Sequence, residues 1–158
     1  MFKALIATVA LLLAGGAHAN QFFLGVTAFD LKRGSVSNDL FITYSPSGGA
    51  VEAQARLEMS PDRLGFWEVI PTNPGSAYVV DCVLINGVLL AQIHSVDGAP
   101  ISGVSIPLCR FRIRADSDTA MGFFPPTYAL IFNYVWAGNA RGAGLPVNGS
   151  GAYVRIIR

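Results

Sequence analysis

The chain has 158 residues, of which 52% are apolar and 13% charged, with a formal charge of +1. This excludes a disordered tail and matches the size of one domain. Outside the first nineteen residues, basic and acidic side chains are equal in number. That balance argues against sequence-independent nucleic-acid binding, which needs a basic surface to release counterions from phosphate, and against a polybasic membrane contact.

In chain order, Lys3 precedes the apolar run Ala4 to Ala14, and small residues follow as far as Ala17-His18-Ala19. A positive start, a short apolar middle and an Ala-x-Ala ending predict a secretory signal over 1–19, with the folded domain at 20–158. No later apolar run reaches the roughly 18 residues that a membrane-spanning helix needs. Secretion or a periplasmic location in a bacterium is the expectation, and it places Cys82 and Cys109 in an oxidising compartment.

Short strand candidates at Phe22 to Phe29 and Leu40 to Tyr44 open the domain. Val51, Ala53, Ala55, Leu57 and Met59 then alternate with Glu52, Gln54, Arg56 and Glu58. Period two predicts a strand with the apolar set buried and the polar set in water. Ser60-Pro61-Asp62 predicts a turn, and Leu64 to Ile70 the next strand. Tyr78 to Ile85 and Val88 to Val96 flank Asn86-Gly87, the pair that suits a two-residue hairpin because both positions need positive φ. With Ile85 facing Val88, Cys82, Leu84, Leu89, Ala91 and Ile93 share the core face, while Asp81, Val83, Ile85, Val88, Leu90, Gln92 and His94 share the other.

Further along, Cys109, Phe111 and Ile113 alternate with Arg110, Arg112 and Arg114. Both cysteines therefore point inward from separate strands, as a bridge between two facing sheets requires. Closing this loop stabilises the fold by roughly 3 to 4 kcal/mol on the chain-entropy model. Tyr128 to Trp136 is another strand, but neither of its alternating sets is polar, so its buried face stays open. Glycine-rich Asn139 to Gly151 predicts a loop, and Ala152 to Ile157 a closing strand. No stretch of the domain shows a helical apolar stripe. About nine turn-punctuated strands predict an all-β, two-sheet sandwich with one inter-sheet disulfide.

Several segments also resemble a known family. Ala50 to Leu64 (AVEAQARLEMSPDRL) is similar to the strand that leads into an Asp-Pro-x-x-Leu turn in cohesin domains, although the order here is Ser-Pro-Asp. Gly98-Ala99-Pro100-Ile101 and Leu108 to Ile113 (LCRFRI) follow in the family's order, and Asn148 to Val154 (NGSGAYV) looks like its terminal Asn-Gly-x-Ile-x-Val. The chain thus resembles a cohesin domain, within the broader carbohydrate-binding-module-like group of bacterial sandwiches. The resemblance implies a jelly-roll sandwich of nine strands and noncovalent binding, often of a dockerin-type protein, on the face of the alternating strand. A cysteine pair is not a general feature of that family.

Catalysis is poorly provisioned. Outside residues 1–19 there is one histidine, His94, and one lysine, Lys32, with no Gly-x-Ser-x-Gly elbow. Glu52 and Glu58 stand roughly 20 Å apart at strand rise, too far for a glycosidase pair. Asp116-Ser117-Asp118 reads as a turn, because Ala120 and Met121 occupy positions where a calcium loop needs ligands and glycine. No metal site or cofactor is expected. The Arg110, Arg112, Arg114 row reads as a solvated face that protects an edge, with anionic-polymer binding as its alternative.

Three functional readings follow. The first is a secreted scaffolding or adhesion module that binds an extracellular protein partner through Glu52, Gln54, Arg56 and Glu58, joined by Gln92 and His94. The second is a polysaccharide-binding module that stacks sugar rings on Trp67, Tyr128, Tyr134 and Trp136. A small secreted hydrolase is a third reading, with Glu58 and either Glu68 or Asp81 as its remaining carboxylate pair, against a solvated face for the same residues.

Overall fold

The computed structural model describes residues 19–59 and 63–158. The predicted signal and the Ser60-Pro61-Asp62 turn lie outside the described residues, apart from Ala19. The described chain is all-β, with eleven strands: β1 (Asn20–Phe23), β2 (Ala28–Lys32), β3 (Leu40–Ser45), β4 (Ala50–Met59), β5 (Leu64–Pro71), β6 (Tyr78–Ile85), β7 (Val88–Ser95), β8 (Ile106–Ala115), β9 (Thr127–Asn139), β10 (Val147–Ser150) and β11 (Ala152–Ile157). They form a five-stranded sheet in the order β10-β1-β3-β8-β5 and a six-stranded sheet in the order β2-β11-β9-β4-β7-β6. Among the described residues no helix is long and apolar enough to cross a membrane.

Two strands beyond the expected nine come from the chain's ends. Phe22 to Phe29 is not one strand: Gly25, at φ +72°, breaks it, and β1 pairs in one sheet while β2 pairs in the other. Val147 to Ser150, expected as loop, is β10, which runs parallel to β1. The second crossing mirrors the first, since β11 leaves β10 and pairs parallel to β2. Gly151 makes that crossing possible, because a Cβ there would stand 1.9 Å from the Leu130 carbonyl oxygen of β9.

The core fills the space between the sheets with Phe22, Ile42, Tyr44, Leu57, Leu89, Ile93, Leu108, Phe111, Ile113, Leu130, Val154 and Ile156, all fully buried. Each such side chain stabilises the fold by about 1.5–3 kcal/mol relative to exposure. The phenol of Tyr44 is the polar exception. Its hydroxyl donates to Asn20 Oδ1 at 2.6 Å, and the same oxygen accepts from the Ser47 amide at 2.8 Å. Burial pushes the phenol's pKa upward, so Tyr44 stays a neutral donor.

Alternation settles most of the register. Ala53, Ala55 and Leu57 are buried, while Arg56 is exposed and Glu52, Gln54 and Glu58 are half-buried among their neighbours. Val51 departs from expectation: a bulge between Ala50 and Glu52 puts Ala50 inside and leaves Val51 half-buried. In the β6–β7 hairpin Ile85 faces Val88, with Asn86 at φ 50° and Gly87 at φ 80°. Leu89, Ala91 and Ile93 are buried, but Leu84 is 44% exposed. It lies on the edge strand beside the hairpin tip, where the facing sheet leaves it uncovered.

Cys82 of β6 and Cys109 of β8 form a disulfide with their Cα atoms 5.7 Å apart. Since β6 belongs to the six-stranded sheet and β8 to the five-stranded one, the bridge joins the two layers as the alternation predicts.

Candidate binding face

Four strands, β9-β4-β7-β6, carry the outer face on which the polar residues of the alternating strand sit. Antiparallel register sets them in rows. Glu52 lies between His94 and Gly138, Gln54 between Gln92 and Trp136, and Arg56 between Leu90 and Tyr134. On β6 the rows continue with Val79 beside His94, Asp81 beside Gln92 and Val83 beside Leu90. Glu58 stands beside Ile131 at the far end of β4. The six residues expected to bind a partner are therefore brought onto one surface.

Tyr134 and Trp136 join this surface, and a bulge is the reason. The β4–β9 pairing passes from Arg56 opposite Tyr134 to Leu57 opposite Phe132, so Asn133 is an extra residue and the strand's parity inverts there. Leu130 and Phe132 point to the core before it, and Val135 and Ala137 after it. That inversion explains why neither alternating set of this strand is polar. Tyr134 is 39% exposed; its ring lies 5.1 Å beneath the Arg56 guanidinium, and its hydroxyl accepts from the Gln54 amide at 3.3 Å. Trp136 is half-buried, with its indole laid along the strand. A Cβ at Gly138 would stand 2.3 Å from its Cη2, and Gly144 lies under the Nε1 edge. Together Glu52, Gln54, Gln92, Tyr134 and Trp136 line a shallow recess of about 280 Å³.

The four expected stacking aromatics do not share one row. Tyr128 packs against the core, opposite the fully buried Val154. Trp67 belongs to β5, on the outer face of the other sheet. An apolar flank made by Val79, Val83 and Ile85, each 40–52% exposed, lies along the β6 edge. Sequence alternation had already turned Val83 and Ile85 away from the core, so this part of the face was legible.

The electrostatics of the face are open. Among the described residues Glu52, Arg56 and Glu58 make no ion pair, and the Arg56 guanidinium lies over the Tyr134 ring. His94 does not assemble with its neighbours into a triad: the Ser95 hydroxyl donates to Asp97 at 2.8 Å, and the Ala99 amide donates to the same oxygen. These bonds, that of Ala99 foremost, hold the Asp97 carboxyl below the usual carboxylate range, as suits a turn. Among the described residues no three His, Cys, Asp or Glu side chains gather where they could hold a metal. Asp116 to Thr119 is a turn closed by the Asp118 amide and the Thr119 hydroxyl.

No protein-family model matches the sequence, and no curated protein does. Solved structures do match. A non-cellulosomal cohesin from the archaeon Archaeoglobus fulgidus superposes with a TM-score of 0.67 at 14% identity, over 89% of this chain and 93% of that one. A type I cohesin–dockerin complex from Clostridium thermocellum gives 0.68 at 13% identity, over 90% and 97%. The cohesin module of a family 33 glycoside hydrolase from Clostridium perfringens gives 0.64 at 14% identity, over 87% and 96%. At these identities the likeness is one of architecture: the chain has a cohesin-like β-sandwich fold.

Proposed function

We propose that this protein is a noncatalytic, secreted module that binds a protein partner through the β9-β4-β7-β6 face. The observation that carries the reading is the uncommitted charge on that face. Glu52, Arg56 and Glu58 have no internal ion-pair partners among the described residues, although all three stand on β4, which is paired on both sides by β7 and β9. Charges so placed steer a partner and fix its register. Tyr134 and Trp136 on one flank, with Val83, Leu90 and Ile85 on the other, supply the aromatic and apolar area from which binding hot spots are built. The cohesin–dockerin complexes among the structural neighbours support a dockerin-type partner as the first candidate. Residues 1–19, read as a secretory signal, and the disulfide support an extracellular or periplasmic site of action.

The test is capture from the secreted fraction of the source organism on the immobilised domain, followed by direct titration of the captured protein in purified form. We expect one partner to be retained by the wild type and its affinity to fall about tenfold or more in the Gln54→Ala, Arg56→Ala double variant. Unchanged affinity in that variant overturns the assignment of the face. If Trp136→Ala instead abolishes binding to an insoluble polysaccharide, the face belongs to a carbohydrate-binding module.

A further inference from the structure

The arginine row of β8 is divided by its surroundings. Arg110 and Arg112 are both held by carboxylates: Asp39 lies 3.5 Å from the first and 2.6 Å from the second, and Glu68 lies 4.0 and 3.7 Å away. Arg114 has no ion pair among the described residues. Its guanidinium lies 4.9 Å from the ring centroid of Trp67, which orients the cation while leaving its hydrogen-bond donors unspent.

Trp67 is itself specially placed. The β5–β8 register steps from Phe66 opposite Ile113 to Glu68 opposite Arg112, so Trp67 is the extra residue of a bulge and has no cross-strand partner. Bulges re-aim side chains, and this one leaves the indole 55% exposed on the outer face. Beside it a recess of about 340 Å³ is lined by Arg63, Gly65, Trp67, Arg114, Asp116 and Ser117. Gly65 has no atom within 4 Å of where a Cβ would be, so the floor of the recess is open. Asp116 accepts from the Asp118 amide at 3.0 Å and pairs with Arg63 at 3.4 Å. Both hold its carboxyl below the usual range, the amide most strongly, so it is an ionised acceptor at neutral pH with lone pairs to spare.

We propose that this recess is a second binding site, on the sheet opposite the partner face, for a carboxylated polysaccharide. A uronate ring supplies what the three groups want. Its C–H face stacks on Trp67, its carboxylate accepts from Arg114, and its hydroxyls donate to Asp116. The phosphates of a phosphodiester chain offer acceptors only, and the neighbouring arginines that would track a row of them are already paired with Asp39 and Glu68. An acidic peptide offers the carboxylate without the sugar face.

The site is tested by native gel retardation of the full folded domain in polygalacturonate. The controls are its methyl ester, polyglutamate and dextran sulfate. Retardation by polygalacturonate alone supports the proposal. Trp67→Ala and Arg114→Gln are each expected to weaken it about tenfold or more, with Trp67→Phe restoring part of the loss. Arg110→Gln and the Gln54→Ala, Arg56→Ala variant are expected to stay within about twofold of the wild type, which separates this site from the partner face. No retardation of the wild type, equal retardation by polyglutamate or dextran sulfate, or a folded Arg114→Gln protein that runs like the wild type overturns it.

Discussion

On the outer face of the five-stranded sheet, Asp39 and Glu68 tie Arg110 and Arg112 into one network, whereas across the six-stranded sheet Glu52, Arg56 and Glu58 make no ion pair among the described residues. The one ion pair that the second sheet carries among the described residues, Asp30 with Arg155 at 2.7 Å, sits on its β2–β11 edge, away from the centre. Charges that satisfy one another hold their own strands together and offer little to a partner. Charges left solvated cost the fold almost nothing and can be completed from outside. The same two-layer architecture thus gives one face that is internally closed except at the Trp67 end and one that is open across its middle.

The strongest way to break the contrast is to uncouple the layers. Replacing Cys82 and Cys109 together by Ala should lower the unfolding free energy by about 2–5 kcal/mol, read from urea denaturation. An unchanged midpoint would mean that the sandwich does not rely on its covalent link. A smaller effect comes from Gly138→Ala. The added methyl collides with the Trp136 indole, and overpacking of this kind costs about 1–3 kcal/mol. The chain has two tryptophans, one per face. In a Trp67→Phe background the emission spectrum therefore reports Trp136 alone, and Gly138→Ala should shift it; an unshifted spectrum would mean that the indole keeps its setting.

The smallest and most direct comparison sets Arg112→Gln against Arg56→Gln. The guanidinium of Arg112, chiefly by its hydrogen bond and then by its charge, keeps the Asp39 carboxyl below its ordinary value of 3.8. A carboxylate held lower in the folded than in the unfolded chain contributes stability above its unfolded pKa, and that contribution is lost as pH falls through the folded one. Melting temperature should consequently fall on acidification below about pH 4 in the wild type and in Arg56→Gln. In Arg112→Gln the acid limb should be flatter and the neutral melting temperature slightly lower, a deficit that added salt reduces. Equal acid limbs in the two variants would erase the distinction between the faces.

How far the sequence carries depends on where regular alternation holds. Ala53, Ala55 and Leu57 against Gln54 and Arg56, and Cys109, Phe111 and Ile113 against the arginines, revealed the sheet parity and the inter-sheet bridge, because one side of each strand meets the core. Asn86-Gly87 revealed its turn because few residues tolerate positive φ. The bulges at Asn133 and Trp67 left no such trace, since an inserted residue reverses parity without changing composition. Tyr134 and Trp136 were for that reason not assigned to the proposed partner face, and the setting of Trp67 beside Arg114 was invisible. Val147 to Ser150 failed differently. Asn, Gly and Ser are poor strand formers, and this segment becomes a strand through its parallel neighbour β1 rather than by its own preference.

The paired crossings at Gly25 and Gly151 have a mechanical consequence. Residues 20–32 run alongside residues 147–157 in the same direction, with Asn20 beside Val147 and Lys32 beside Ile157. Asn20 and Ile157 therefore sit at opposite ends of the sandwich. Tension applied between those two points slides β1 against β10 and β2 against β11 along their length, so that the hydrogen bonds of both ladders are loaded together in shear instead of being peeled one at a time. A module pulled along its long axis would resist extension with two ladders at once, one in each layer.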